Sequence, residues 1–170
     1  MTTTPHPRDQ LLDAMEELLA ERGYAGATVQ RVARRAGLAP GLVHYYFGRK
    51  LDLLLGVVAR VRGVLERRLE ASGDTLDGVI DACLALPGDP RAVRCAVVLG
   101  AESLRDEEVR VAWGAVLRWL RDRFARHAEP EQASALLGAV VGLWQLGAMG
   151  CPPPRGTAAA AVRGLAAGAR

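Results

Sequence analysis

The side chains best suited to chemistry lie between Thr28 and Lys50, and the chemistry they suit is phosphate binding. This stretch carries five cations and no acidic residue, whereas the segment before it, from Asp9 to Glu21, holds five acidic residues. An all-basic segment beside an acidic helix is the charge pattern of a phosphate-binding surface. A basic face that is only solvated has the same composition, so charge alone leaves both interpretations open.

No set of residues indicates catalysis or metal binding. The three histidines are scattered, and the sequence holds no glycine-rich phosphate loop and no Ser/His/Asp set. Paired acids such as Glu16 and Glu17 suit an exposed helix face. We therefore expect a protein that is not an enzyme, with no catalytic residue, no metal site and no cofactor.

The cysteines indicate packing rather than redox or metal chemistry. Cys83, Cys95 and Cys151 are odd in number and match no zinc spacing. Free cysteine behaves as a small hydrophobic residue, so we expect all three to be buried. A thiol-based redox sensor is the alternative, although nothing nearby marks an activated thiolate.

The elements that must position these residues are predicted to be helices. Half of the residues are hydrophobic but only 5% are aromatic, and no segment alternates long enough for a strand. No apolar run approaches the ~20 residues of a membrane span, and the first residues lack a signal-peptide core, so we expect a cytoplasmic protein with no membrane partner. After a disordered tail at 1–7, the predicted long helices are 8–22, 49–71, 75–86, 90–104, 106–127, 131–149 and 157–168.

The segment from Thr28 to Phe47 has the spacing of a helix-turn-helix. Thr28 is a suitable N-cap for a short helix, and Gly37 breaks that helix where a positive φ is needed. Pro40 suits the first turn of a second short helix. In this motif the second helix enters the major groove while the first crosses the DNA backbone. The small core between the two helices would be Val32, Ala36, Leu38, Val43 and Phe47.

The run TVQRVARRAGLAPGLVHYYFGRKLDLL resembles the DNA-binding head of TetR-family repressors. The resemblance covers residues 8–55 and implies an all-α fold, with a three-helix head at 8–48 and a helical effector-binding and dimerisation body at 49–170. The residues that match the family pattern are Thr28, Val32, Ala33, Ala36, Gly37, Leu38, Gly41, Val43, Phe47, Lys50, Leu53 and Leu54.

The resemblance also implies which side chains contact DNA. Thr28, Tyr46 and Lys50 would bind phosphates, and the amide of Gln30 would reach a base edge. The full set of expected contacts is Thr28, Gln30, Arg31, Pro40, Gly41, Leu42, His44, Tyr45, Tyr46 and Lys50.

The second helix departs from the family pattern at several positions. Ala39, Pro40 and Leu42 stand where polar residues are usual, and His44 stands where an aromatic residue is usual. Readout would then depend on the remaining polar groups, on thymine-methyl contacts and on DNA shape. His44 has two candidate roles: it reads a base, or it is a structural histidine whose ring is hydrogen-bonded within the protein.

The body is expected to hold a ligand and a partner subunit. The three tryptophans are either core residues or the wall of an apolar pocket, for a small-molecule effector whose class the sequence does not specify. The resemblance implies dimerisation through 131–149 and 157–168, which would place two heads about one DNA turn apart on a pseudo-palindromic operator. The candidate pocket residues are Cys95, Leu99, Glu102, Trp113, Trp144 and Gln145.

These features together predict a ligand-responsive transcriptional repressor that is released from its operator by the effector. An activator is also compatible with the sequence. A helical interaction module whose basic segment is merely solvated is the competing class, and salt distinguishes the two because phosphate-driven binding weakens steeply with ionic strength.

Overall fold

The computed structural model describes residues 6–85, 90–152, 154 and 157–167, and every regular element in these ranges is an α-helix. The all-α prediction is therefore confirmed for the described chain, with helix ends that differ from expectation by a few residues. The helices are α1 (Pro7–Gly26), α2 (Val29–Ala36), α3 (Pro40–Phe47), α4 (Lys50–Ser72), α5 (Leu76–Leu84), α6 (Pro90–Glu102), α7 (Glu107–Phe124), α8 (Pro130–Ala148) and α9 (Thr157–Ala167).

The beginning of α1 differs from expectation, and a short segment is added after its predicted end. His6 caps the helix by accepting a hydrogen bond from the Arg8 amide at 3.2 Å, and Pro7 is its first residue, so neither belongs to a tail. Residues 1–5 of the expected tail lie outside the described residues. Gly23 interrupts α1 as predicted, with a non-helical φ of 66° and ψ of −179°, and a short second helical segment then reaches Gly26.

Helices α1, α2 and α3 enclose the small core of the head. Val32 and Val43 are fully buried and Phe47 nearly so, while Ala36 and Leu38 pack against them partly exposed. The apolar stripe of α1 supplies the opposite wall of this core. Its buried members are Leu11, Leu12, Met15, Leu18 and Leu19.

The head and the body share two packed surfaces. Helix α4 packs on α1 in the head and on α5 and α7 in the body, and α1 also packs directly on α6. Arg60 of α4 forms ion pairs with Asp9 and Asp13 of α1. The Cys95 thiol of α6 donates a hydrogen bond to the Glu16 carbonyl of α1 at 3.2 Å. A movement of α6 therefore acts directly on the head.

The body is a layered bundle in which α8 packs against α6, α7 and α9. Trp144 of α8 is 2% exposed, and its indole N–H donates to the Cys83 carbonyl at 3.1 Å. Trp113 is buried as well, whereas Trp119 is half-buried with the Arg62 guanidinium 3.9 Å from its ring centre. None of the described helices has the length and apolarity that a membrane crossing requires.

The cysteine prediction holds at two of its three positions. Cys83 and Cys95 are buried, and burial raises the pKa of the Cys83 thiol to about 12. The prediction is wrong for Cys151, which is exposed. It follows Gly150, whose positive φ of 79° turns the chain away from the end of α8, so no helix covers it.

Candidate DNA-binding interface and ligand groove

The turn between α2 and α3 has the geometry that its residue types predict. The Thr28 hydroxyl caps α2 by accepting from the Arg31 amide at 3.3 Å. Gly37 ends α2 in the left-handed conformation, with φ 69° and ψ 26°. The Leu38 amide then donates back to the Ala33 carbonyl at 2.9 Å, a bond that holds the chain at the angle from which α3 starts.

Helix α3 presents one exposed face. Gly41, His44 and Tyr45 are exposed on it, and Tyr45 is 79% exposed although it is aromatic. Pro40 is exposed at the helix start, where its missing N–H leaves no intrahelical bond unmade. An exposed tyrosine beside a glycine on a short helix gives a partner both close backbone approach and an aromatic hydroxyl.

Leu42 and Tyr46 border this face and are half-buried. The Tyr46 ring is packed edge-on between Tyr45, with centroids 4.9 Å apart, and His6, with centroids 5.5 Å apart. These contacts fix the direction of the Tyr46 ring before any partner binds.

His44 has a defined tautomer because of its bond to the backbone. Its Nδ1 lies 2.8 Å from the Gly48 carbonyl oxygen. A carbonyl oxygen only accepts hydrogen bonds, so Nδ1 must carry the proton and donate. In the neutral ring Nε2 is then an acceptor on an exposed side chain. Both roles considered for His44, structural and base-reading, are compatible with this geometry.

Lys50 is turned toward the head rather than toward solvent. Its Nζ donates to the Tyr24 carbonyl at 2.5 Å and lies 3.8 Å from the centre of the Tyr24 ring. Partial burial lowers the pKa of the Lys50 ammonium. A lysine ammonium has three donors, so this bond leaves others for a phosphate.

The cations of the basic segment divide into bonded and free groups. Arg35 forms ion pairs with Glu17 and Glu21, and Arg49 with Asp52 and Glu108. These pairs lower the pKa of the Glu21 and Asp52 carboxyls. The sequence count of five cations therefore overstates the charge available to a partner.

The remaining cations of α2 lie on the same outward arc as Gln30. Arg31, Arg34 and Gln30 are all exposed. The Arg31 guanidinium donates to the Gly26 carbonyl at 2.9 Å and keeps its charge uncompensated. Within the described ranges, Arg34 forms no ion pair.

A groove of about 280 Å³ lies between α6, α7 and α8. Of the expected pocket residues, Trp113, Trp144 and Gln145 line it. The Trp113 indole N–H has no acceptor in the part of the chain that is described. The full lining is Ala96, Val97, Gly100, Ala101, Leu104, Trp113, Val141, Trp144 and Gln145.

The groove does not include Cys95, Leu99 or Glu102. These residues share a neighbouring face of α6, since they are spaced by four and three positions. Leu99 is fully buried in the core, and the Cys95 thiol is directed to α1. Glu102 pairs with Arg105 instead. Both faces of α6 are apolar, and the sequence carried no signal that distinguishes them.

Comparison with known proteins gives one family for the head. The family model described as "Bacterial regulatory proteins, tetR family" matches residues 11–57. The HTH-type transcriptional regulator BetI of Escherichia coli O45:K1 (strain S88 / ExPEC) is 30% identical over 113 residues, which are 66% of this chain and 51% of that protein. The chain thus spans about half the length of the curated relatives it matches.

Solved structures extend the similarity over nearly the whole chain. A TetR-family member from Streptomyces coelicolor A3 superposes with a TM-score of 0.82 at 20% identity, covering 95% of this chain and 99% of that one. The multidrug binding protein EbrR complexed with malachite green superposes with a TM-score of 0.77 at 20% identity, with the same two coverages. At these identities the structural matches show the fold alone.

Proposed function

The chain belongs to the TetR family of bacterial regulatory proteins, and we propose that it binds a pseudo-palindromic operator as a homodimer and is released by a small-molecule effector. The observation that carries the proposal is the exposed face of α3, where Tyr45 is 79% exposed beside Gly41 and His44 on a helix fixed by a left-handed glycine turn. The edge-on contact with Tyr46 leaves most of the Tyr45 side chain in solvent, whereas a major groove would cover it.

DNA recognition divides between α3 and the ends of its neighbours. The exposed α3 face enters the major groove, with Gly41 allowing close approach and His44 Nε2 accepting from an exocyclic amino group. Thr28, Arg31 and Lys50 contact phosphates, and Gln30 reaches a base edge from α2. This division follows the geometry of helix-turn-helix proteins, in which α2 crosses the backbone.

The dimer interface is the outer face of α8 with α9. Leu146 on α8, Met149 at its C-cap and Leu165 on α9 are exposed apolar residues, with 46%, 69% and 51% of their surface accessible. An added Cβ at Gly138 or Gly142 would meet nothing within 4 Å. Exposed apolar side chains beside glycines with open space above them suit the close approach of a second copy of α8.

The effector occupies the groove between α6, α7 and α8. Its lining holds two indole rings and small aliphatic residues and no ionisable side chain. The free N–H of Trp113 and the amide of Gln145 supply the polar contacts. This chemistry fits a small, uncharged, planar molecule with a hydrogen-bond acceptor, since a charged ligand would lie in an apolar site unpaired. The EbrR complex with malachite green supports an organic ligand in this fold, but that dye is a cation and so gives no support to the choice of an uncharged one.

Coupling between the groove and the head runs through α7. Trp113 of α7 lines the groove, and Glu108, one turn earlier, binds Arg49 at the start of α4 with N–O distances of 3.1 and 3.2 Å. A ligand that displaces α7 therefore displaces the N-terminus of α4, which adjoins α3. The resulting change in head separation lowers operator affinity by a population shift.

The test is selection of DNA from a random duplex pool with the purified protein, followed by titration of the selected DNA in increasing salt. We expect an enriched inverted repeat whose affinity falls steeply as salt rises. No enrichment, or binding indifferent to salt, would contradict the proposal and favour a helical interaction module.

Tyr45→Ala tests the recognition face on the selected duplex. Because the side chain is so exposed, its removal should leave the melting temperature unchanged while operator affinity falls about tenfold or more, as for the removal of a specific contact worth ~1–3 kcal/mol. The control is Val111→Ala, an exposed apolar truncation on α7. Lys50→Ala is less informative, since it also removes the bond to Tyr24. Unchanged affinity in Tyr45→Ala would place the recognition face elsewhere.

A further inference from the structure

A second basic site lies on the other side of α2 from the recognition helix. A cavity of about 400 Å³ opens between α1 and α2, and its lining is Leu18 with four arginines: Arg22, Arg31, Arg34 and Arg35. No carboxylate lines it, and neither α3 nor α4 contributes to it. The DNA contacts assigned above do not use Arg22 or Arg34.

Two of the four arginines are held by the protein itself. Arg35 is bonded to Glu17 and Glu21. These ion pairs fix one wall of the cavity and neutralise the charge of the Arg35 guanidinium. Arg31 donates one guanidinium N–H to the Gly26 carbonyl at 2.9 Å. A carbonyl carries no net charge, so Arg31 keeps its positive charge while its position is fixed.

The other two arginines have no such partners. Among the described residues, neither Arg22 nor Arg34 forms a hydrogen bond or an ion pair through its side chain. Both are exposed, and they line the cavity from α1 and α2 respectively. Arg34 and Arg22, neither bonded to a carboxylate although Arg22 is attracted by the nearby Glu21, form with the fixed Arg31 a concave site whose chemistry matches a phosphate group.

The position of the cavity indicates which phosphate it binds. Arg31 lies one turn from Thr28, the N-cap of α2, so the cavity continues from the helix end expected to meet the backbone. On α2, Gln30 and Arg34 are one turn apart and share the exposed face of the helix. Arg31 and Arg35, also one turn apart, lie on the neighbouring face, which is turned toward α1. The cavity therefore begins at Arg31, which is already assigned to a backbone phosphate, and extends from there toward α1.

We propose that Arg22 and Arg34 bind a backbone phosphate of the DNA that flanks the base pairs read by α3. The inference rests on the proposed DNA-binding function. It adds an electrostatic contact that carries no base specificity and lengthens the DNA footprint of each head.

The experiment compares two duplexes that carry the selected operator, one trimmed to the base-read segment and one with several flanking base pairs on each side. The variant is Arg22→Ala/Arg34→Ala, and the charge-matched control is Arg67→Ala/Arg118→Ala, two arginines of α4 and α7 that do not line the cavity. On the long duplex we expect the variant to bind several-fold more weakly. Its salt slope, the steepness with which the logarithm of affinity falls with the logarithm of salt concentration, should decrease by about 0.9 for each phosphate that it no longer neutralises. On the trimmed duplex it should bind as wild type does.

The outcomes separate this inference from the proposed function. If wild-type protein selects no DNA, the proposed function fails. If wild type binds the operator but the variant and control show equal salt slopes on the long duplex, only the inference is overturned. An equal deficit on both duplexes also overturns it, because the phosphate would not lie in the flank.

One further variant and one ligand complete the test. Arg22→Lys/Arg34→Lys should restore most of the salt slope, since lysine keeps the charge. Inorganic phosphate, compared with chloride at equal ionic strength in thermal melting, tests for a free-anion site. Stabilisation of wild type but not of the alanine variant by phosphate, without a DNA deficit, would overturn the assignment to DNA.

Discussion

At the scale of single residues, His44 performs two separable tasks. Its Nδ1 donates to the Gly48 carbonyl at 2.8 Å and so satisfies a backbone acceptor at the end of α3. Its Nε2 is left free on the face proposed to meet DNA. The same ring therefore stabilises the end of α3 and contacts DNA. A shorter side chain with a donor near the Nδ1 position would keep the bond to Gly48 but lose the DNA contact.

His44→Asn and His44→Ala separate the two tasks. The asparagine amide can still donate to Gly48, so we expect His44→Asn to melt near wild type but to bind the operator about fivefold more weakly, the worth of one hydrogen bond of ~1 kcal/mol. His44→Ala should lose both stability and affinity. Thermal melting and fluorescence anisotropy on the selected duplex measure these effects. Wild-type affinity in His44→Asn would restrict His44 to the structural task.

Glu16 is a residue whose charge works against folding. Burial between α1, α4 and α6 raises the pKa of the Glu16 carboxyl above its ordinary 4.5, although Arg60 opposes the shift. The folded state therefore binds the proton more tightly than the unfolded state does. This contribution to stability is fully present below pH 4.5 and is lost as pH rises through the folded pKa.

Glu16→Gln should raise the melting temperature at pH 7, and the gain should disappear as pH falls below 4.5. Asp52→Asn is the control of opposite sign. The Arg49 guanidinium and amide lower the pKa of the Asp52 carboxyl, so its contribution is present above pH 3.8 and lost at lower pH. This variant should melt lower than wild type at neutral pH. A Glu16→Gln protein that melts below wild type at pH 7 would show that the Arg60 contact outweighs burial.

At the scale of elements, the α2–turn–α3 unit depends on glycines for two different reasons. Gly37 has φ 69° with open space at its Cβ position, so its need for glycine is conformational. Gly41 has an ordinary helical φ and equally open space, so the isolated protein does not require glycine there.

Alanine at each position should therefore have opposite effects on stability. Gly37→Ala should destabilise the protein by about 1–2 kcal/mol through left-handed strain. Gly41→Ala should stabilise α3 by up to about 1 kcal/mol and yet weaken operator binding, because the added methyl group lies on the face that approaches DNA. Chemical denaturation and anisotropy on the selected duplex measure the two quantities. If Gly41→Ala binds as wild type does, α3 does not approach the bases closely at this residue.

The same elements show what sequence can and cannot predict here. Capping by Thr28 and the turn at Gly37 are local, since each depends on residues within four positions, and the sequence predicted both. Whether Arg35 is free depends on Glu17 and Glu21, which are 18 and 14 positions away and on another helix. Which of two apolar faces of α6 lines the groove likewise depends on where α7 and α8 pack, so the groove residues that were predicted, Trp113, Trp144 and Gln145, all belong to α7 and α8.

At the scale of the whole molecule, two groups of helix glycines need different explanations. A Cβ at Gly56 of α4 would lie 2.9 Å from the Leu12 side chain and 3.1 Å from the Phe47 ring, so packing within the monomer requires glycine there. Apart from the adjacent backbone of α8 itself, no atom of the described residues lies within 4 Å of the Cβ positions of Gly138 and Gly142. Glycine within a helix costs about 0.5–1 kcal/mol relative to alanine. A second subunit packed against α8 supplies the reason that the monomer lacks.

Gly142→Leu should therefore separate the subunits without unfolding the monomer. In sedimentation velocity, we expect wild type to sediment as a dimer and the variant as a monomer with unchanged helicity. Because each head then binds alone, affinity for the inverted repeat should fall by about 10²-fold or more while affinity for a single half-site stays the same. The control is Gly63→Leu on α4, where an added Cβ meets only the flexible end of Arg67. A dimeric Gly142→Leu protein would exclude α8 as the interface, and with it the head spacing of about 34 Å that an inverted repeat one DNA turn long requires.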